Sequence, residues 1–294
     1  MAGRFAPSPT AELHLGNLRT ALVAWLAARS TGRRFLLRIE DLDAARVAAA
    51  PAVAAAQVAD LAALGLDFDG PVVWQSERRG LYAQAIGRLQ TYECFCTRRE
   101  IAEAASAPHG DGYRPYPGTC QALTEDERRA RRRERPPAVR VRADGARQTV
   151  RDVLAGEVTG VVDDFVVLRN DGVPAYNLAV VVDDVAQGVD QVVRGDDLLS
   201  SSPRQAWLTR QLGGAVPQYL HVPLVLNADG RRLAKRDGAV TLAELALHGV
   251  DASAVLSRLA TSLDLAEPGE PVTRAVLVDR FDPASLPRAP WILP

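Results

Sequence analysis

Arg4-Phe5-Ala6-Pro7-Ser8-Pro9-Thr10, followed at once by Leu13-His14-Leu15-Gly16-Asn17, is the stretch from which the rest of the chain can be ordered. Arg4 to Ala6 predicts a short strand that ends on the break Pro7-Ser8-Pro9, since proline cannot donate to a sheet ladder and restricts the residue before it. Past the break, Leu18, Leu22, Trp25 and Leu26 fall on one helical face, and Gly32 is placed to stop the helix. A strand that turns into a helix is where an open α/β sheet binds a nucleotide, because the helix start offers unpaired N–H groups to anionic oxygens. Gly16 lets a ligand ring approach the backbone there, and His14 can donate to phosphate.

Working outward, Phe35 to Ile39 reads as the next buried strand and Val47 to Leu64 as a helix with Pro51 near its first turn. Val72 to Trp74 is a further strand and the run through Leu81 and Ile86 a helix, an alternation that predicts a parallel, doubly wound sheet. From Tyr92 to about Arg142 the text changes to Cys, Gly, Pro and dense arginine, with little strand character before Ala138, and reads as an insertion. Strand-like segments return at Phe165 to Leu168, Leu178 to Val182 and Gln191 to Val193. A helix from Pro203 to Leu212 and a strand around Val222 to Leu226 complete the sheet, and the chain after Gly238 is helical up to a Pro-rich tail, Leu286 to Pro294.

Composition narrows the classes. With 294 residues, 47% apolar and 24% charged, the chain is neither disordered nor fibrous, and it is long enough for a sizeable core. No apolar run reaches the ~18 residues of a membrane span, since Gln57 and Asp60 interrupt the Ala-rich stretch. Met-Ala-Gly-Arg-Phe-Ala-Pro at the N-terminus lacks the apolar region of a secretory signal, so a cytoplasmic protein with no membrane partner is expected. Lys235 is the sole lysine among 35 basic residues, and arginine does not replace lysine where a compact, mobile ammonium is required. Cys94, Cys96 and Cys120 make an odd count that argues for metal binding or free thiols over a disulfide framework.

The opening stretch, together with Arg38-Ile39-Glu40-Asp41 and the loop Arg232-Leu233-Ala234-Lys235-Arg236, resembles the two signatures of the glutamyl class of class I aminoacyl-tRNA synthetases. That resemblance implies attack of a glutamate carboxylate on the α-phosphate of ATP, with Mg²⁺ accompanying the phosphates. It implies His14, Gly16 and Lys235 as catalytic residues, with Asn17 joining them around ATP. On the glutamate side it implies Arg4, Phe5, Ala6, Pro7, Ser8, Glu40, Tyr176 and Arg194. The chemistry agrees: two arginines suit two carboxylates, Glu40 suits an ammonium, and Ser8 and the Tyr176 hydroxyl can complete the hydrogen bonding. Several positions depart from the family pattern. Ala11 replaces a glycine, Asn17 a final histidine, Ala234 a serine, and Val180 an asparagine that full-length glutamyl enzymes tend to carry.

Three cysteines are one donor short of a closed tetrahedral zinc site. Residue chemistry nominates His109 as the fourth ligand or leaves the cysteines unliganded, whereas Cys94-x-Cys96 with Tyr116-x-x-x-Cys120 resembles the zinc site of glutamyl-queuosine tRNA(Asp) synthetases and implies Tyr116. The expectation is one structural Zn²⁺ per chain held by Cys94, Cys96, Tyr116 and Cys120. Eight arginines between Arg128 and Arg142 are diluted by Glu125, Asp126, Glu127 and Glu134, and read equally as a solvated helix face or a phosphate contact.

Full-length glutamyl enzymes continue into anticodon-binding helical domains, for which residues 237–294 are too few. With the cysteine pattern, this brevity makes the chain similar to the glutamyl-queuosine branch. The branch implies tRNA-independent activation of L-glutamate, then transfer to the cyclopentene-diol of queuosine in the anticodon of tRNA(Asp). A core that charges tRNA(Glu), and a non-catalytic ATP- or tRNA-binding regulator, stand as the alternatives. The expected architecture is α/β: a Rossmann-like doubly wound parallel sheet with a zinc-containing insertion and a short helical C-terminal region. Its expected division is 1–92 and 161–228 for the halves of the nucleotide fold, 93–160 for the insertion and 229–294 for the lysine loop and helices, in a monomer.

Overall fold

A computed structural model describes residues 1–43, 47, 50–97, 99–101, 115–233 and 240–293. In chain order its elements are β1 (Ala2–Phe5), α1 (Leu15–Arg29), β2 (Arg34–Ile39), α2 (Ala50–Ala63), β3 (Val73–Trp74), α3 (Arg79–Gly87) and β4 (Thr91–Cys94). They continue with α4 (Glu125–Glu134), β5 (Ala138–Val141), β6 (Ala146–Asp152), β7 (Gly156–Val162), β8 (Val166–Leu168), α5 (Tyr176–Gln187), β9 (Val189–Gly195) and α6 (Ser202–Gln211). The chain closes with β10 (Gln218–Val222), β11 (Val225–Leu226), α7 (Leu242–Leu247), α8 (Ala252–Thr261), α9 (Arg274–Arg280) and β12 (Trp291–Ile292).

The main sheet runs β3-β2-β1-β9-β10-β6-β7. Its strands are parallel except for β7, which pairs antiparallel with β6. From β1 the chain steps outward to β2 and β3 on one side, and later returns to lay β9 and β10 on the other. The strand order therefore reverses between β1 and β9, and a crevice opens beyond the C-terminal ends of that pair. Arg4 on β1 is level with Val192 on β9, so the chain leaves both strands at the same rim.

Helices cover both faces. α1 is buried along almost its whole length, because it lies between the sheet and the C-terminal helices, where Val255, Leu256, Leu259 and Leu277 join its cluster. On the opposite face Leu178 to Val182 of α5 pack with Leu208, Leu212 and Tyr82. Those five residues were expected as a strand, and the structure corrects this. An apolar run packed on all sides is buried whichever way it is wound, so its β-branched content does not report a strand. Two local features settle it as a helix: Pro174 and Ala175 lead in extended, and Gly188 ends it at φ 67° in the left-handed cap that glycine accepts without strain.

A smaller antiparallel sheet, β4-β5-β8, stands beside the main one and carries the cysteine-bearing segment at the end of β4. Strand β4, from Thr91 to Cys94, runs into the start of the stretch from Tyr92 read as having little strand character. Parallel pairing of β11 with β12 fastens the chain's tail against Val225 and Leu226. Among the described residues no helix is long and apolar enough to cross a membrane.

Candidate active site

The crevice at the switch point is a cleft of about 470 Å³. Arg4 to Ser8, His14, Gly16, Asn17, Glu40, Tyr176 and Arg194 all line it. These are the residues selected from sequence, apart from the metal ligands and Lys235. Lys235 belongs to residues 234–239, outside the described residues, but both flanks of that segment can be placed. Arg232 and Leu233 line the cleft. On the far side, the Leu15 N–H donates to Val240 O at 2.8 Å, and His14 and Thr241 form a β-bridge. A larger groove of about 890 Å³ lies along α8 and the tail near Trp291, and none of the selected residues line it.

His14 caps α1. Its Nδ1 accepts from the Asn17 N–H at 3.2 Å, and the Asn17 side chain accepts from the His14 N–H at 3.3 Å. An imidazole that accepts at Nδ1 carries its proton on Nε2, and burial holds its pKa below the ordinary value, so at neutral pH it is an uncharged donor. Gly16 serves a use beyond the one read from sequence. A Cβ there would stand 2.9 Å from His14 Cε1 and 3.0 Å from Nδ1, so the missing side chain is what lets the ring fold over the helix start.

The loop between β1 and α1 is braced from two sides. Pro7 O accepts from the Glu40 N–H at 2.9 Å, which ties the exits of β1 and β2 together. Gln57, buried on α2, donates to Ser8 O at 3.1 Å and Ala11 O at 2.7 Å. Behind the loop is a buried charge cluster. Asp184 Oδ1 accepts from Arg38 Nη1 at 2.8 Å and Arg4 Nε at 3.4 Å, and Arg38 Nη2 is 3.6 Å from Glu40 Oε1. Burial works against the Arg38 charge, but Asp184, Glu40 and Asp183 outweigh it and hold the guanidinium protonated. Burial likewise raises the Glu40 carboxyl, with Arg38 and Arg4 opposing.

The two arginines differ in what they leave free. Arg4 gives one bond to Asp184 and one from Nη1 to Val193 O at 3.0 Å, so most of its fork is uncommitted among the described residues. Arg194 donates through Nε to His221, through Nη1 to Gln205 Oε1 at 2.6 Å, and through Nη2 to Leu198 O and Ser202 Oγ. With five N–H groups in a guanidinium, one on Nη1 remains for a ligand. Arg194 therefore offers a point contact, not the fork expected from its residue type. Tyr176 opens α5 and is 42% exposed at the cleft, whereas Val180, one turn on, is buried in the core and does not line it.

Sequence reasoning missed Asp184, Gln57, His221, Asp152 and Gln205. A signal existed for the first: Asp183-Asp184 interrupts the run Val180 to Val185, and adjacent carboxylates in an otherwise apolar helix need buried cations.

Apart from the cleft, the Sγ atoms of Cys94, Cys96 and Cys120 lie within 4.8 Å of one another and can hold a metal ion. The Tyr116 hydroxyl is 3.5 Å from Cys94 Sγ and 3.7 Å from Cys96 Sγ, and accepts from the Cys120 N–H at 2.8 Å. His109 lies outside the described residues. The arginine run splits in two. Arg128 to Arg133 ride on α4, where no residue is buried and Arg132 pairs with Glu93 and Glu125. Arg140, on β5, is buried with its Cζ 3.6 Å from the Tyr116 ring centre, and Arg142, just past β5, stays partly exposed with its Cζ 5.4 Å from that of Tyr92.

Residues 1–261 match the family described as tRNA synthetases class I (E and Q), catalytic domain. The chain is 60% identical to the glutamyl-Q tRNA(Asp) synthetase of Nocardia farcinica, covering 99% of this chain and 93% of that protein. It is 48% identical to the protein of the same name from Symbiobacterium thermophilum, covering 100% and 96%. The glutamate–tRNA ligase of Nitrosospira multiformis is 39% identical over 98% of this chain but only 62% of its own length. Among solved structures, a glutamate tRNA ligase from Elizabethkingia meningosepticum in complex with its amino acid superposes with a TM-score of 0.83 at 27% identity, over 99% of this chain and 66% of that one. The chain thus belongs to the glutamyl-Q tRNA(Asp) synthetases, within the class I tRNA synthetases of the E and Q type.

Proposed function

We propose that the chain activates L-glutamate with ATP in the absence of tRNA, and then transfers it to the queuosine base in the anticodon of tRNA(Asp). In the first step a glutamate carboxylate oxygen bonds to the α-phosphorus, the bond to the β-phosphate oxygen breaks, and pyrophosphate leaves with its electron pair. In the second a hydroxyl of the queuosine diol attacks the glutamyl carbonyl and gives up its proton to solvent, and AMP departs with the electron pair of its bond to the carbonyl carbon. The observation that carries this reading is the lining of one cleft by Arg4, Ser8, His14, Glu40, Tyr176 and Arg194 at the sheet's switch point.

Each residue has a role that its geometry supports. Arg4, with most of its donors open, suits two-point contact with one carboxylate, and Arg194 a single contact with the other. Glu40 and the Tyr176 hydroxyl suit the ammonium. His14 Nε2–H and the Gly16 N–H suit ATP phosphate oxygens, the neighbouring Leu15 and Asn17 N–H groups being bonded to Val240 O and His14 Nδ1. Gly16 and Asn17 keep that helix start open to the nucleotide. Lys235 suits the phosphate charge that develops in the transition state, a reading supported by the flanks of its loop at the cleft. Positioning and charge neutralisation supply most of the catalysis in such a displacement. Mg²⁺, arriving with ATP, would neutralise phosphate charge.

For the second site we read a structural zinc held by Cys94, Cys96, Cys120 and Tyr116. A tetrahedral ion with sulfur at about 2.3 Å and oxygen at about 2.0 Å spaces its donors roughly 3.5–3.8 Å apart. The Cys96–Cys120 separation of 3.5 Å and the Tyr116 distances of 3.5 and 3.7 Å agree with that spacing. The ion would cross-link a segment whose own core is small.

The deciding experiment is glutamate-dependent ATP–pyrophosphate exchange without tRNA, followed by mass spectrometry of queuosine-containing tRNA(Asp), queuosine-free tRNA(Asp) and tRNA(Glu). Exchange together with a glutamyl group on the queuosine nucleoside alone is the expected result. Charging of tRNA(Glu) would point to a different acceptor, and no exchange would leave a non-catalytic binder.

A further inference from the structure

Behind Arg194 lies a buried constellation to which the reaction above gives no role. His221 on β10 accepts at Nε2 from Arg194 Nε at 3.0 Å, and its Nδ1 stands 2.7 Å from Asp152 Oδ2 on β6. Ser202 Oγ, at the start of α6, is 3.2 Å from the same Nε2. Serine, histidine and aspartate at such spacings are the parts of a hydrolytic triad. Here Ser202 is fully buried and its Oγ already accepts from Arg194 Nη2 at 2.8 Å, so no substrate carbonyl can reach it.

We infer that the Asp152–His221 pair is the positioning device for Arg194, fixing the direction in which its remaining N–H meets a glutamate carboxylate. The inference rests on the glutamate site proposed above. Asp152 cannot turn, because its carboxylate also accepts the backbone N–H groups of His221, Leu154 and Ala155 at 3.0, 2.9 and 2.8 Å. So fixed, it requires a proton on His221 Nδ1 and leaves a lone pair on Nε2, which is what the all-donor guanidinium needs. Burial, the largest effect on His221, also holds its pKa below the ordinary value and keeps the ring neutral at pH 7. All three guanidinium nitrogens are then tied, to His221, Gln205 and Ser202, and the plane of the fork is set.

The chemistry of these partners matters as much as their geometry. Every acceptor on Arg194 is neutral: an imidazole, an amide, a hydroxyl and the Leu198 carbonyl. Arg38, by contrast, is surrounded by three carboxylates. A cation held by neutral groups keeps its charge for an incoming anion, whereas one already paired does not. Asp152 sits one residue further back, where it orients the acceptor without touching the guanidinium.

The test separates the two hydrogen bonds of the ring. His221→Asn keeps a donor toward Asp152 but offers nothing at the Nε2 position; His221→Gln reaches Arg194 with a carbonyl oxygen but loses the Nδ1 donor. In pyrophosphate exchange, His221→Asn should raise KM for glutamate about tenfold with KM for ATP unchanged, and His221→Gln, which restores the acceptor but not its tether to Asp152, should fall between that and wild type. Equal glutamate KM values for the two variants, or parallel rises in both KM values, would overturn the inference. Should neither variant fold, long-range ¹⁵N–¹H spectra of the wild type decide: the expected His221 signal has a protonated Nδ1 and a bare Nε2, and the opposite tautomer overturns the inference. A wild type without glutamate-dependent exchange removes the proposed function and this inference with it. An active wild type indifferent to His221→Asn removes the inference alone.

Discussion

Replacing Gly16 with alanine should abolish most activity while leaving the fold nearly as stable as before, an uncommon combination that follows from three distances. The added methyl would stand 2.9 and 3.0 Å from the His14 ring, and Val225 Cβ at 3.4 Å blocks retreat on the other side. The side chain of His14 is the group free to move, and as it rotates away its Nδ1 gives up the Asn17 N–H. Loss of a helix cap costs about 1 kcal/mol. Alanine over glycine in a helix returns up to about 1 kcal/mol. The two nearly cancel, and the melting temperature should move by less than about 4 °C. The displaced ring carries its Nε2–H out of the cleft, and removal of one preorganised donor from a charge-stabilising site costs roughly 10²–10³ in rate. Pyrophosphate exchange on Gly16→Ala, His14→Ala and the double variant reads this directly, because the double should be no slower than His14→Ala alone. Exchange by Gly16→Ala within about fivefold of wild type, or a multiplicative loss in the double, would refute the argument.

Three other outcomes are expected. Asp184→Asn strips the carboxylate shared by Arg4 and the fully buried Arg38; breaking a buried pair costs about 3–5 kcal/mol, so calorimetry should show a melting temperature lower by roughly 5–8 °C. Asp60→Asn should stabilise the protein at pH 7.5 and not below about pH 4, because burial and nearby Glu12 raise the Asp60 carboxyl to about 6. A carboxyl raised on folding binds more protons in the fold, so its ionisation destabilises above the folded value; since the group is partly exposed, a gain of ~1 kcal/mol by denaturant titration is expected at pH 7.5. Chelation, or the Cys94→Ser, Cys96→Ser double variant, should lower zinc from about one ion per chain to none and open the 94–120 segment to proteolysis. Metal-free protein with unchanged cleavage would count against the zinc reading.

What the sequence revealed and what it hid follow different physics. Arg4, His14, Glu40 and Arg194 were legible because each sits at or just beyond the end of a strand, or at the start of a helix, where side chains meet a ligand and few residue types suit the chemistry. The strand–turn–helix rhythm from Arg4 to Ile86 was legible for a related reason, since local periodicity reports elements that bury one face. That rhythm fails for Leu178 to Val182, five apolar residues in a row on the part of α5 where every position from Leu178 to Asp184 is buried. The groups that hold the site residues in place were hidden more deeply. Gln57 and Ser8 are 49 positions apart, Asp184 and Arg4 180, and Asp152 and His221 69. No spacing rule joins such pairs; they meet only because β1, β6, β9 and β10 share one sheet and α2 and α5 pack against it. A ligand-facing residue is constrained by the ligand's chemistry and can be recognised alone. A residue that orients it is constrained by one atom of one neighbour, as His221 is by Arg194 Nε, and is recognisable only once that neighbour has a position.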